Sequence, residues 1–172
     1  KGHKWAKQKL PSDKELEIAT DQVATFLSNF FQKIEAYKTS LKEDPAEIVE
    51  KRVSTGKTSL LYKPLPQVAL AQAIYILEED SDLDQSAIFR EINKIDWSYS
   101  QGSQFEGMVM TMDGTILTGA KIQNRLKNMI LFWVLGKKKF IAILGDDAFN
   151  KLNEDYQQTR DTTSDFPAVK SK

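Results

Sequence analysis

The sequence contains no cysteine and a single histidine among its 172 residues. Without a thiol the chain can form neither a disulfide nor a thiolate zinc site, and it has no cysteine nucleophile. The histidine, His3, lies in a lysine-rich terminal stretch, so we expect neither a multi-histidine metal site nor a histidine-based catalytic triad. We predict no metal and no cofactor. A chain without cysteine also suits a reducing compartment, and we expect a cytoplasmic protein.

A charge excess and a long apolar run are also missing. Lys plus Arg and Asp plus Glu number 24 each, so the formal net charge is zero. Dedicated nucleic-acid-binding domains usually carry a basic excess, so any contact with duplex DNA must come from a local patch. No run of about 18 apolar residues exists, which predicts no membrane span and no membrane partner. The opening KGHKWAKQKL lacks the apolar core of a secretory signal.

The length and the order of patterns predict one domain with two loose ends. We expect a flexible basic segment over residues 1–11, a single mostly helical domain over 12–158, and a flexible polar tail over 159–172. The fold class is mainly α (α+β), a helical bundle with one small β-hairpin.

A long first helix, close to thirty residues, is predicted to begin at a capping box formed by Ser12 and Glu15. Its apolar residues recur at steps of three and four and therefore share one face. This stripe predicts a helix packed into the core, and its extra phenylalanines also suit a subunit interface. The stripe consists of Leu16, Ala19, Val23, Leu27, Phe30, Ile34, Tyr37 and Leu41.

Three further helices are predicted before residue 95. Pro45 opens a short helix that runs to about Arg52. Pro64 and Pro66 open the segment VALAQAIYIL, which is apolar on nearly all sides and is therefore the expected central helix. A third helix ends near Lys94. We expect the core to combine the long first helix, residues 68–77 and residues 122–135.

Two motifs in this part of the chain resemble phosphate or metal sites. Gly56-Lys57-Thr58 looks like the end of a P-loop, but Lys51 stands where the motif needs glycine, so we predict a simple turn. The acidic run around residues 78–84 predicts a solvated loop and a helix N-terminus. Binding of Mg²⁺ by paired carboxylates is the alternative.

A turn, a loop and a hairpin are predicted between residues 95 and 119. Asp96 can accept a hydrogen bond from the backbone two residues later, and Trp97 would anchor that turn in the core. The next loop is bracketed by two glycines and carries Phe105. Asp113-Gly114 favours a two-residue hairpin turn between strands at residues 108–112 and 115–118.

Residues 120–135 are predicted to form an amphipathic helix that ends at Gly136. Ile122, Leu126, Met129, Ile130 and Trp133 would face inward. The opposite side carries basic and amide residues of the types that contact phosphates and base edges, although an ordinary solvated face has the same composition. The candidate DNA-binding residues are Lys121, Arg125, Lys127, Lys137, Lys138 and Lys139.

The last part of the chain is less distinctive. Residues 140–144 fit a short strand or a helical turn equally well. Asp146 or Asp147 is then expected to cap a final helix that runs through Tyr156.

The order of several short motifs resembles the C-terminal half of the DGQHR-domain family, and within it the DndB regulators encoded with bacterial DNA phosphorothioation enzymes. The segments are TSLLYKPLPQVALAQAI, INKIDWS, FEGMVMTMDGTI and NMILFWVLG, which together span roughly residues 55–140. Phe105 stands where that family more often has Trp. The positions that match the family pattern are Leu61 to Pro64, Asp96-Trp97-Ser98, Phe105 with Gly107, Asp113-Gly114, and Leu135-Gly136.

The Asp-Gly-Gln-His-Arg signature of that family is absent, because Thr115 follows Asp113-Gly114. The signature belongs to the N-terminal half of such proteins, so the resemblance implies a C-terminal piece or a truncated relative. Chemistry located on the signature is not carried over. What the resemblance does imply is a regulatory or accessory module of DNA sulfur modification that binds DNA or other DNA-modification proteins.

Three functions follow as hypotheses. The first is a DNA-binding regulatory module, expected to be a homo-oligomer and not an enzyme. The second is a protein-interaction or oligomerisation domain without nucleic-acid contact, which the zero net charge favours. The third is a Mg²⁺-dependent nuclease or nucleotide hydrolase that uses Asp82, Asp84 or Asp96.

Overall fold

A computed structural model describes residues 11–53 and 58–168. The predicted turn at Gly56-Lys57 lies outside the described residues, as do residues 1–10 of the basic segment predicted over residues 1–11. The contacts divide the chain into two compact units, one up to Leu41 and one from Lys42 onward. The single domain expected over residues 12–158 stays a prediction.

Within the described ranges the chain is mostly helical, which confirms the predicted fold class. Two short strands pair antiparallel, with Thr58 opposite Tyr99 and Ser59 opposite Ser98. The elements are α1 (Asp13–Lys33), α2 (Glu35–Ser40), α3 (Pro45–Val53), β1 (Thr58–Ser59), α4 (Pro64–Asp80), α5 (Gln85–Lys94), β2 (Ser98–Tyr99), α6 (Ala120–Leu144) and α7 (Asp146–Arg160).

The first unit consists of α1 and α2. The predicted capping box is confirmed, since Ser12 Oγ accepts from the Glu15 backbone N–H and the Glu15 carboxylate accepts from the Ser12 N–H. The prediction of one long helix is wrong, because Ile34 leaves the helical region at φ −86°, ψ 115°. Neither glycine nor proline marks this break. The extended backbone suits a β-branched residue, and the break accompanies stacking of Phe30 on Tyr37 at 5.1 Å.

The apolar stripe of α1 is largely open to solvent. Leu16, Val23 and Leu27 keep 50%, 57% and 44% of their surface exposed. The prediction that these residues lie in the core is therefore wrong. Phe30, further along the same stripe, is buried.

The core of the second unit lies between α4, α5, α6 and α7. Both prolines of α4 lie in its first turn as predicted, and Leu70, Ile74 and Leu77 are fully buried. The expectation that α4 is covered on nearly all sides is wrong, because Val68 and Tyr75 are exposed. On α6 the fully buried residues include Leu126, Met129 and Ile130.

The predicted hairpin is present in a minimal form. Met110 and Ile116 make one antiparallel bridge, and the Thr111 N–H donates to the Thr115 carbonyl at 2.8 Å. The loop between Thr111 and Thr115 is three residues long, residues 112–114, so the prediction of a two-residue turn is wrong. The Asp113 carboxylate accepts from the Thr111 hydroxyl and from the Thr115 N–H, and these bonds hold the longer loop.

Helix α6 is interrupted at Gly136, where φ is +72°. The predicted helix end at this glycine is therefore confirmed, since a left-handed φ is one that glycine adopts without steric cost.

Residues 140–144, for which a short strand and a helical turn were both open, are helical. Gly145 caps α7, so Asp146 and Asp147 lie in its first turn instead of capping it, and α7 extends past Tyr156 to Arg160.

Candidate nucleic-acid interface and interaction surfaces

Arg125, the arginine among the candidate DNA-binding residues, faces the interior. It is 9% exposed. Its Nε donates to Asp155 Oδ2 at 2.9 Å and its Nη1 donates to the Met108 carbonyl at 2.9 Å. The prediction that Arg125 lies on the outward side of α6 is wrong, and its guanidinium is occupied by interior acceptors.

The sequence did contain a signal for this burial. Arg125 is three residues after Ile122 and four before Met129, so it lies on the edge of the apolar stripe. The neighbouring basic and amide residues favoured an outward position instead; they are Lys121, Gln123, Asn124, Lys127 and Asn128. Its partner Asp155 is 30 residues away on α7, and no local pattern connects the two.

Asp155 is the acidic half of this buried pair. Burial by itself raises the pKa of the Asp155 carboxyl, but hydrogen bonds and charges from Arg125 and Lys151 outweigh burial and hold the pKa below its ordinary value of 3.8. Lys151 Nζ lies 3.3 Å from Asp155 Oδ1. The carboxylate is therefore ionised at neutral pH and joins α6 to α7.

The candidate lysines of α6 have different surroundings. Lys121 is exposed. Lys127 is half-buried, and desolvation lowers the pKa of its ammonium group. Lys121 therefore suits a phosphate contact better than Lys127 does.

The three lysines after Gly136 are exposed, and two of them are already paired with acids. Lys137 Nζ lies 3.4 Å from Asp165 Oδ2 and 4.3 Å from the centre of the Phe149 ring. Lys139 Nζ lies 3.2 Å from Asp82 Oδ2. The positive charge of this cluster is therefore partly neutralised within the chain.

The residues predicted to anchor the loop after α5 do so. Asp96 Oδ1 accepts from the Ser98 N–H at 3.1 Å, and the Trp97 indole N–H donates to the Ile92 carbonyl at 3.1 Å. The Trp97 ring stacks on Phe105 at 5.6 Å, and Phe105 meets Trp133 edge-on at 5.7 Å. Trp97 and Phe105 thus fasten the loop to α6.

Two arginines and one glycine hold the rest of this loop. Arg160 Nη2 donates to the Ser103 carbonyl at 2.8 Å, as Arg125 does to Met108. Gly107 has φ +75°, and a Cβ there would lie 3.1 Å from the Thr159 carbonyl oxygen. The loop is therefore pressed against the end of α7, and Gly107 is required by both its backbone angle and the close approach.

The acidic residues considered for Mg²⁺ have structural partners. Asp82 pairs with Lys139, Asp84 accepts from the Ala87 N–H at 2.7 Å as the cap of α5, and Asp96 closes the turn before Ser98. Across residues 11–53 and 58–168, no group of three or more acidic or histidine side chains is arranged to hold a metal ion. The enzyme hypothesis and the predicted absence of enzymatic activity both stay predictions.

Helix α1 carries a candidate interaction surface in the first unit. Leu16, Thr20, Val23, Leu27 and Phe30 are separated by alternating steps of four and three. This is the spacing of the seam residues in a coiled coil. The exposed apolar members of this row, Leu16, Val23 and Leu27, form a surface that we call the α1 stripe.

The segment after α7 is docked onto the second unit, which corrects the prediction of a flexible tail for its described part. Phe166 is 4% exposed and stacks on Trp133 at 5.6 Å. The Trp133 indole N–H donates to the Pro167 carbonyl at 3.1 Å. The residues after Thr159 are mostly polar, so their composition did not predict this contact. The pair Phe166-Pro167 was the one sequence feature that could have indicated it.

No protein-family model, no curated protein and no solved structure matches this chain. Among the described residues, no helix combines the length and the apolar character needed to cross a membrane.

Proposed function

We propose that this chain is an assembly module that forms homo-oligomers through the α1 stripe. The observation that carries this proposal is the exposure of Leu16, Val23 and Leu27, each 44% or more, along one line of a 21-residue helix. About half of each side chain's surface is still exposed, so full burial by a partner would contribute about 0.7–1.5 kcal/mol for each, half of the value for a fully exposed side chain.

A second copy of the chain is the partner that fits this surface. The charged residues of α1 are unevenly distributed: Asp13, Glu15, Glu17 and Asp21 outnumber Lys14 in its first half, and Lys33 is the one charged residue after them. Two antiparallel copies bring the acidic end of each helix beside the basic end of the other. The helix dipoles also favour this orientation.

The length of α1 limits the affinity of such a pair. Its 21 residues span about 31 Å, or three heptads. The α1 stripe offers a partner only three large apolar side chains, which limits the surface that pairing can bury. We therefore expect a reversible dimer with a dissociation constant in the micromolar range.

The biological setting we propose is regulation of bacterial DNA sulfur modification in the cytoplasm, alongside other DNA-modification proteins. The family resemblance supports this setting. The matched positions Trp97 and Phe105 contact each other, and Phe105 contacts α6, so residues from separate motifs belong to one structural cluster. The regulator or accessory role rests on that resemblance alone.

Sedimentation velocity over a range of protein concentrations tests the assembly proposal. Val23→Lys should convert the wild-type dimer to a monomer. Ile18→Lys is the matched control, because Ile18 is also exposed, at 49%, and lies two residues from Leu16, on the opposite side of the helix. A monomeric wild-type chain at hundreds of micromolar, or equal loss of dimer in both variants, would contradict the proposal.

DNA binding is the second candidate function, and the exposed lysines favour it. Lys121 and Lys138 are exposed, and neither makes an ion pair within residues 11–53 and 58–168. Fluorescence anisotropy with a duplex from a phosphorothioation operon promoter, and with a scrambled duplex, tests this function. If the lysines contact phosphates, Lys121→Gln and Lys138→Gln should each reduce the dependence of log affinity on log salt by about one unit. Unchanged affinity and salt dependence would exclude both residues.

A further inference from the structure

The segment after α7, residues 162–168, is neither helix nor strand and is held by side chains of α6 and α7. The Phe166 N–H donates to Asn153 Oδ1 at 2.5 Å, and the Trp133 indole N–H donates to the Pro167 carbonyl at 3.1 Å. Gln157 Nε2 donates to the Thr163 and Ser164 carbonyls at 3.3 and 3.4 Å. Hydrogen bonds to the main chain also contribute affinity when a protein binds a peptide segment, and pockets for its side chains give specificity.

The side chains of the segment are also recognised individually. Phe166 is enclosed by aromatic rings, with Trp133 stacked at 5.6 Å and Phe132 and Tyr156 edge-on at 5.3 and 5.4 Å. Asp165 accepts from Asn153 Nδ2 at 3.0 Å and lies 3.4 Å from Lys137 Nζ. A buried aromatic anchor with a polar rim is the usual anatomy of a binding hot spot.

Two features favour release of the segment: the exposed ion pair between Lys137 and Asp165, and the connection to α7 at Asp161. The Lys137 and Asp165 side chains keep 54% and 65% of their surface exposed, so their pairing is in water and weak. Helix α7 ends at Arg160, and Asp161 turns the chain with a left-handed φ of +47°. The segment can therefore leave the helices without unwinding them.

We propose that the surface formed by Trp133, Lys137, Asn153 and Gln157 is a peptide-binding groove for an Asp-Phe-Pro segment. The chain's own residues 163–167 fill it as a displaceable plug. The partner that fits is a protein segment with an acidic residue before an aromatic residue and proline. This proposal is independent of assembly through α1, because every residue in it belongs to the second unit.

Binding of a labelled peptide to the full chain tests the groove. The probe is a fluorescein-labelled peptide with the sequence TTSDFPA, which reproduces residues 162–168. The Phe166→Ala variant should bind it at least ten-fold more tightly than the wild-type chain, because the wild-type plug competes. The same peptide with Phe replaced by Ala is the control and should not bind. Adding Asn153→Ala to the Phe166→Ala variant should weaken binding at least five-fold.

A second variant covers the case in which Phe166→Ala fails to fold. Asp165→Lys places a positive charge opposite Lys137 and leaves the aromatic anchor intact, so it should loosen the plug without making a cavity. We expect it to bind the peptide several-fold more tightly than the wild-type chain. Circular dichroism establishes which variants are folded. If a folded variant binds the peptide no better than the wild-type chain does, the segment is a permanent part of the core and the proposal is overturned.

Discussion

Helices α1 and α6 carry similar apolar stripes in the sequence and have opposite surroundings in the structure. In α1, Val23 and Leu27 are 57% and 44% exposed, whereas Leu126 and Met129 in α6 are fully buried. Both rows recur at steps of three and four. Periodicity therefore predicts which face of a helix is apolar, but it does not tell whether the same chain covers that face.

Two basic residues of α6 also show that similar positions in the sequence pattern can have different environments. Lys121 and Arg125 are one helical turn apart and have the same charge. Lys121 is exposed, whereas Arg125 is buried against Asp155. Arg125 is buried because it pairs with Asp155, which lies 30 residues away on α7. The sequence of α6 alone therefore does not predict the difference.

The buried ion pair should give the largest effect on stability. Arg125→Met removes one partner of a pair whose side chains are 8% and 7% exposed, so the buried carboxylate keeps only the more exposed Lys151 as a cationic partner. We expect a loss of about 3–5 kcal/mol in the free energy of unfolding, measured by urea denaturation. The double variant Arg125→Met with Asp155→Leu should recover most of this loss. A loss below 1 kcal/mol for the single variant would mean that Arg125 is solvated.

A pair of leucine truncations compares the two stripes directly. Leu126→Ala should cost about 2–5 kcal/mol, because it leaves a cavity in the core. Leu27→Ala, measured at a protein concentration too low for assembly, should cost less than about 0.5 kcal/mol. Equal costs by urea denaturation would show that α1 is as well covered as α6.

Gly107→Ala tests the contact between the loop and the end of α7. A side chain at φ +75° is strained, and its Cβ would lie 3.1 Å from the Thr159 carbonyl oxygen. We expect a loss of about 1–3 kcal/mol in thermal or urea unfolding. Gly114→Ala is the matched control, since it has φ +87° with no atom within 4 Å of the added Cβ. The control should lose less than Gly107→Ala, and a larger loss in the control would contradict the close approach.

Lowering the pH should destabilise the second unit, because Asp155 becomes protonated. The folded state lowers the pKa of this carboxyl below 3.8, so its contribution to stability is fully present above that value and is lost as the pH falls through the lower, folded pKa. The free energy of unfolding should therefore decrease below about pH 4. The double variant Arg125→Met with Asp155→Leu should show a shallower decrease. Identical pH profiles for the two proteins would contradict the assigned pairing.

Substitution of Lys127 should have the smallest effect on the free energy of unfolding, and it should stabilise the protein. Burial lowers the pKa of its ammonium group, so the charged form is a cost to the folded state at neutral pH. Lys127→Met should raise the free energy of unfolding by about 0.5 kcal/mol or less, since the side chain is partly solvated. Lys121→Met, at an exposed position, is the control and should change stability less. A clear loss of stability in Lys127→Met would contradict this account.

Local signals predicted several of the helix ends and turns, although not the cap of α7 or the length of the hairpin loop. Ser12 with Glu15, the prolines of α4, Asp96 and Gly136 act within a few residues of themselves, and each has the structural role expected of it. The docking of Phe166 and the pairing of Arg125 depend on contacts distant in sequence, and the break at Ile34 has no glycine or proline to mark it. Those features therefore could not be read from periodicity and composition.

Disulfide cross-linking of α1 is the most direct test of assembly, and the absence of cysteine removes any background. Leu16→Cys and Leu27→Cys would be prepared separately and then oxidised alone or mixed. Antiparallel pairing places residue 16 of one copy beside residue 27 of the other, so the mixture should form far more cross-linked dimer than either variant alone. Efficient cross-linking of each variant alone would contradict the antiparallel orientation. No cross-linking in any sample, with a monomeric mass for the wild-type chain, would contradict assembly through α1.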